Sequence, residues 1–362
     1  MNLHERERAF IRLGHYLSSY IQRAGHDPAG LPETDPEDVI LTSAVRLAMA
    51  VNPWFILPHI LQSLRAIADS LDEKEVGSFM QIYGPRIKES DHPVTVAVIM
   101  AGNLPLVGFH DFFCVVLSGN RFLGKLSSED CHLLPALSRL MTIWHPDLQN
   151  LVSFTDQRLF RFDAVIATGS DNTSRYFDFY FGKYPNIIRR HRNSVAVLNG
   201  TETPAELEAL GTDVFSYFGR GCRSVSRLFL PLNHPLEAFA SAWKSFSYVM
   251  DHSKYRHNYD YYKSVFIVSH LSYVDPGMIL IKQDPSFNSP LAVLHFTDYE
   301  SVAEVNSLLL QSRNKIQSIV SNDQAIDQRI PFGKAQQPSL FDFADRIDTM
   351  DFLFQCNQSI KI

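Results

Sequence analysis

The stretch from Pro93 to Gly182 constrains this chain most, because it repeats one local pattern: a short apolar run, a small polar turn, then a helical segment. Val94–Met100 is β-branched and apolar, as a strand covered on both faces is. The turn Ala101-Gly102-Asn103 follows, then an apolar helix from Pro105 to Leu117. Gly119-Asn120 breaks the chain before a second strand, Arg121–Lys125, and a turn rich in helix-capping residues, Ser127-Ser128-Glu129-Asp130, opens a helix to 144. Leu151–Phe154 and Ala164–Ala167 read as further strands, and Thr168-Gly169-Ser170 opens a helix over 171–182. This alternation predicts the α/β class: a parallel sheet with helices on both faces. Ligands of such sheets sit at the carboxyl ends of strands, so Asn103 and the turns at 125–129 and 168–170 are the informative positions.

The flanks extend the plan. Residues 1–92 read as helical, with Ile11, Leu13, Leu17 and Ile21 near helical spacing and further helices at 37–50, 55–70 and 73–83. Asp35-Pro36-Glu37-Asp38 has the proline and acids of a helix start. A second α/β segment spans 201–330. It begins with a helix over Pro204–Phe218 capped by Thr203, a glycine-bearing turn Gly219–Arg223 and a strand Val225–Leu230. Helices over 235–268 and 299–311 and strands at Met278–Lys282, Leu291–Phe296 and Ile316–Val320 complete it. Residues 331–362 form a return loop and an acidic, aromatic tail. A length of 362 residues suits such a division.

Charge and cysteine content narrow the function. A net charge of −6 gives no cation field for nucleic acid. The four cysteines, Cys114, Cys131, Cys222 and Cys356, form no framework and have no C-x-x-C spacing, which points to a reducing compartment, the cytoplasm, and to no structural metal. The N-terminus alternates charges where a secretory leader would be apolar. Pro93–His110 lacks formal charge, but Gly102, Asn103 and Pro105 interrupt it, and a bilayer span needs about 20 apolar residues.

Cys222 in Gly-Arg-Gly-Cys-Arg has two readings: a small core residue, or a thiolate favoured by Arg220 and Arg223 on a turn whose glycines admit a ligand. Cys114 and Cys131 read as core and Cys356 as incidental. Asn103 is a turn former or an oxyanion donor. Thr168-Gly169-Ser170 is an ordinary turn or a phosphate seat at a helix N-terminus. There is no G-x-G-x-x-G fingerprint. His252 and His257, among tyrosines, lack a metal-binding spacing and read as a solvated aromatic-rich helix. Arg189–Arg192 reads as a solvated face or as partners for phosphate.

The order of the pieces carries more than any one of them. VAVIMAGNLPL, GNRFLGKLSSED, DAVIATGSDNTSRYF, HRNSVAVLNG, FGRGCRSVSRLFLP, SPLAVLHFTDYESVAEVN and IPFG run colinearly from about 93 to 334. Together they resemble the aldehyde dehydrogenase superfamily, and within it the short acyl-CoA reductases of the LuxC type. The resemblance implies an aldehyde-dehydrogenase-like fold of two parallel-rich α/β domains with an N-terminal helical segment. Residues 1–92 would pack on a nucleotide-binding domain at 93–200, and 201–330 would be the catalytic domain. It implies Cys222 as nucleophile and Asn103 as oxyanion donor. Lys125, Ser127, Ser128, Thr168, Gly169 and Ser170 would meet the dinucleotide, and Phe287 the nicotinamide. The family's ribose-binding glutamate falls on Ser128, which implies NADPH as hydride donor, with NADH the other candidate. Relatives dimerise through a bridging hairpin and a C-terminal strand, parts that residues 80–93 and 348–362 would play here, which implies a homo-oligomer, a dimer.

Two departures shape the activity. Where aldehyde-oxidising relatives carry a water-activating glutamate, this chain has Ile188–Val195 without an acid, and the second family glutamate falls at Pro285 or Ser286. Slow hydrolysis of an acyl-enzyme suits an acyl-CoA reductase, acting on acyl-CoA or an acyl-carrier thioester supplied by an acyltransferase or synthetase partner. The alternatives are an aldehyde dehydrogenase releasing acid, a non-catalytic acyl-transfer scaffold, and an acyl-phosphate reductase in which Arg189–Arg192 meets the leaving group.

Overall fold

A computed structural model describes residues 1–25, 27–169 and 171–359. Ser170 lies outside the described residues. The chain divides into two compact units, Met1–Arg190 with Pro338–Ile362, and His191–Gln337.

Four helices open the first unit: α1 (Leu3–Arg23), α2 (Pro36–Val51), α3 (Leu57–Ser70) and α4 (Glu73–Tyr83). The alternation follows: β1 (Thr95–Ile99), α5 (Phe109–Leu117), β2 (Arg121–Lys125), α6 (Leu133–Trp144), β3 (Val152–Thr155), β4 (Ala164–Thr168), α7 (Asp171–Phe181) and β5 (Asn186–Arg189). The sheet is parallel with order β3-β2-β1-β4-β5, and Val96 of β1 is in register with Phe122 of β2 and Ala164 of β4. Val96, Val98 and Phe122 share a large core with Phe10, Phe79, Phe112 and Phe113, while Ala97, Val165 and Ala167 pack with Phe177 and Phe181. Burying each phenylalanine contributes roughly 1.5–3 kcal/mol, so the opening helices are part of this core.

The second unit contains β6 (Asn193–Val197), α8 (Pro204–Phe215), β7 (Val225–Pro231), α9 (Ala238–Ala242), α10 (Ser253–Val268), β8 (Leu280–Gln283), β9 (Val293–Tyr299), α11 (Val302–Gln311), β10 (Ile316–Val320) and β11 (Arg329–Ile330). Its sheet is also parallel, ordered β11-β10-β6-β7-β9-β8. Trp243 is fully buried and donates its indole N–H to Leu207 O of α8 at 2.7 Å. The chain then returns to the first unit as α12 (Thr349–Ser359).

The two parallel sheets and the helical start match the expected fold. Several local expectations are corrected. The boundary falls at Arg190/His191 and not at 200, because β6 pairs with β7 and β10. The helix expected from Pro105 starts at Phe109, after an irregular turn in which Leu106 has φ +62°. The helix expected to reach Phe218 ends at Phe215, because Tyr217 and Phe218 are left-handed. The tail is no oligomerisation strand: it is a helix whose Met350, Leu353, Phe354 and Cys356 are buried in the first unit's own core, so Cys356 is structural. Residues 84–93 form one short helical turn and irregular chain, with no hairpin. Among the described residues no helix is long and apolar enough to cross a membrane.

Candidate active site

The strand order of the first unit creates a place for a ligand. The chain moves outward from β1 through β2 to β3 and then returns to β4 on the other side, so the connections at the carboxyl ends of β1 and β4 diverge. Ligands of open parallel sheets bind at such a reversal. Asn103 follows β1, Lys125 ends β2, Thr168 ends β4 and Gly169 follows it, so the expected positions share one edge of the sheet. Gly102 is the residue that lets two of these turns touch: a Cβ there would lie 2.3 Å from Ser127 Oγ. Ser127-Ser128-Glu129-Asp130 is a tight turn with Ser128 and Glu129 exposed at its corners. Lys125 is anchored by donating Nζ–H to Asp156 O at 2.8 Å and to Leu126 O at 3.4 Å. Lys125, Ser127, Ser128, Thr168 and Gly169 are the residues on this edge that could meet a dinucleotide.

Asp130, which the sequence pattern offers only as part of a helix cap, joins the turns. It is buried, and Oδ2 accepts the Leu106 N–H at 2.8 Å, fixing the left-handed Leu106 three residues beyond Asn103. Its Oδ1 is buried without a partner. Burial outweighs the backbone N–H groups and pushes its carboxyl up to about 6. Asn52 adds a second brace, donating to Gly102 O at 3.3 Å.

In the second unit Cys222 is exposed on the turn between α8 and β7. Gly221 and Ser224 close that turn: the Ser224 N–H donates to Gly221 O at 3.0 Å, and the Gly221 N–H donates to Ser224 Oγ at 3.2 Å. Ser194 of β6 donates its hydroxyl to Cys222 O at 2.9 Å. Behind the turn lies a cavity of about 250 Å³, lined among others by Phe218, Arg220, Val225, Tyr255, Ile279 and Val293, and by no Asp or Glu.

Phe287 comes to the same end of β7. Ser226, four residues after Cys222, donates its hydroxyl to Phe287 O at 2.7 Å. The buried Arg227 donates to Pro285 O at 2.6 Å and Thr297 Oγ1 at 2.8 Å, and its guanidinium stacks 4.8 Å from the Phe287 ring centre. Desolvation holds its pKa below the ordinary arginine value. The nearest acid in this segment, Asp284, pairs with Lys282 at 2.9 Å, and that hydrogen bond together with the Ser286 N–H lowers its carboxyl pKa. A carboxylate so held is a poor base.

The arginine cluster does not present one common face. Arg189 is buried in β5 and makes a bidentate pair with Asp111 at 2.6 and 2.8 Å. Arg190 pairs with Asp178, and Arg192 reaches Arg313 O. The helix after His252 is not simply solvated either: His252 caps it, and Tyr255 and Tyr259 are buried. Among the described residues no cluster of His, Cys, Asp and Glu could hold a metal.

No family model matches the sequence, and no curated protein does. Solved structures do match, among them aldehyde dehydrogenases. Aldehyde dehydrogenase 21 of Physcomitrella patens, solved with the reaction product succinate, superposes with a TM-score of 0.65 at 10% identity, covering 98% of this chain and 84% of that one. A Mycobacterium tuberculosis aldehyde dehydrogenase complexed with NAD+ gives 0.64 at 14%, with the same coverage. Aldehyde dehydrogenase C of Pseudomonas syringae, a mutant form in complex with NAD+ and octanal, gives 0.57 at 12%, covering 90% and 73%. The chain therefore has the aldehyde dehydrogenase fold.

Proposed function

We propose that this protein is a nicotinamide-dependent oxidoreductase that reduces an acyl thioester to an aldehyde through a thioester on Cys222. The observation that carries this reading is the exposed cysteine turn beside a cavity whose described lining holds no Asp or Glu, with Asp284 tied to Lys282. The Cys222 thiolate attacks the acyl carbonyl, and the CoA or carrier thiolate leaves. The resemblance gives the oxyanion to Asn103 and the Cys222 N–H. The dinucleotide, when bound, supplies hydride to the thioester carbonyl carbon. Collapse of the thiohemiacetal releases aldehyde and the Cys222 thiolate. In this reading the glutamates that activate water in aldehyde-oxidising enzymes are replaced here, so the acyl-enzyme persists long enough to be reduced.

Ser128 in place of a carboxylate supports NADPH as donor, while the exposed Glu129 beside it is the group that would favour NADH. The similar solved structures that hold NAD+ support a nicotinamide cofactor. The test is a panel of acyl-CoAs with NADPH and NADH, following cofactor oxidation, aldehyde release and the intact mass of the acylated protein. Aldehyde formation and an acyl adduct on Cys222 are expected. Free acid as the main product from aldehyde and NAD(P)+, with no acyl-CoA turnover, would replace this reading with the aldehyde dehydrogenase alternative.

A further inference from the structure

The turn that carries Cys222 is held from behind by residues that take no part in the reaction above. The approach to it is strained: Tyr217, Phe218 and Gly219 are successively left-handed, at φ +54°, +58° and +72°. A residue with a Cβ pays roughly 1–2 kcal/mol for that conformation, so two large aromatics keep it only where surrounding contacts impose it. Packing supplies part of this, since Phe218 is buried and lies 4.6 Å from the His252 ring.

Asp213 supplies another part. It lies in the last turn of α8, fully buried, and its carboxylate clasps a loop distant in sequence. Oδ2 accepts the Gly333 N–H at 2.6 Å and Oδ1 the Ala335 N–H at 2.9 Å. The next residue, Gln336, is buried and directs its amide N–H to Ser224 Oγ at 3.4 Å. That oxygen also receives the Gly221 N–H, so the loop held by Asp213 ends on the atom that closes the cysteine turn. A buried carboxyl is a costly way to hold a loop unless the geometry it imposes matters.

We propose that Asp213 is a positioning residue for the Cys222 thiol, acting through the 333–336 loop and Gln336 on the Gly221–Ser224 turn. The proposal rests on Cys222 as the nucleophile, and it is tested by the reactivity of the thiol itself. The full chain is alkylated with iodoacetamide, and adducts on Cys222 and on Cys131, half-buried in the other unit, are quantified together. Gln336→Met cuts the link to Ser224 and keeps the Asp213 clasp. Asp213→Asn keeps the shape but turns one acceptor into a donor facing a backbone N–H. Gln336→Met is expected to slow Cys222 alkylation about fivefold and Asp213→Asn about tenfold, with the Cys131 rate unchanged. The thermal midpoint of Gln336→Met should stay within about 2 °C of wild type. Wild-type Cys222 rates in Gln336→Met and Asp213→Asn overturn the proposal; should Asp213→Asn not fold, a wild-type rate in Gln336→Met alone overturns it. A wild-type protein that reduces no acyl thioester overturns the reaction proposed above, whereas the alkylation ratio still decides this one.

Discussion

The two units fix their candidate site residues by the same physical device, set at different distances along the chain. In the first, Asp130 reaches back to Leu106, so both turns belong to neighbouring strand–helix connections. In the second, Asp213 reaches forward to Gly333 and Ala335, across most of the unit. Each carboxyl is buried, and each accepts the N–H of a left-handed residue, Leu106 for Asp130 and Gly333 for Asp213. The lesson is that a loop placed for function is fixed by backbone acceptors buried behind it, while its exposed face stays open to ligand.

The units differ in how they treat charge. The first buries a complete pair, Arg189 with Asp111. The second buries Arg227 against a carbonyl, a hydroxyl and two aromatic rings. Such a cation holds the Phe287 loop without bringing a carboxylate to the cysteine.

The largest expected effect breaks the comparison at its chemical end. Cys222→Ala should lower acyl-CoA-dependent NADPH oxidation about 10⁴-fold or more, and a near-wild-type rate would remove the second unit from the chemistry. Next, Asp111→Ala strands the buried Arg189 and should cost roughly 3–5 kcal/mol in urea unfolding. Asn103→Ala tests whether the first unit takes part in the reaction. A fall of about 10²–10³-fold in kcat with little change in KM is expected, and an effect confined to KM would argue against the oxyanion assignment.

The paired aspartates predict a pH signature. Their folded-state carboxyls are pushed up to about 6 for Asp130 and about 7 for Asp213, from an ordinary 3.8. Between those limits the folded chain holds protons that the unfolded chain has lost. Their contribution is complete below about pH 4 and is lost as pH rises through about 6 and 7. Thermal midpoints recorded from pH 4 to 8 should therefore decline less steeply in Asp213→Asn and Asp130→Asn, with the larger change for Asp213. Unchanged slopes in both would show that the carboxyls titrate normally. The smallest effect concerns cofactor choice: Glu129→Gln should shift the NADH-to-NADPH preference a few-fold toward NADPH, under about 1 kcal/mol for so exposed a group.

What the sequence made legible follows distance. Strands β1, β2 and β4 and the turns after them are written in consecutive residues, and Asn103, Lys125 and Gly169 fall where those turns place them. The turn that carries Cys222 was legible for the same reason, as glycines and arginines between a helix and a strand. Asp213 was not, because its partners are more than a hundred residues away and an aspartate inside a helix pattern looks like a solvated one. Arg189 was misread for a related reason: a run of basic residues suggests a surface, and only the strand pairing of β5 turns its first member inward toward Asp111. The tail was misread because four buried apolar residues among polar ones show little regular pattern until the core that receives them exists.

That tail also orders events in time. The first unit's chain leaves at Arg190 and returns only at Pro338, while the second unit is continuous. During synthesis the second unit can close as soon as its own residues have emerged. The first must wait for α12 to fill the core already built around Phe79 and Phe113. Its core then stays incomplete for as long as the second unit takes to be made, so a segment translated after the second unit completes the unit that was begun before it.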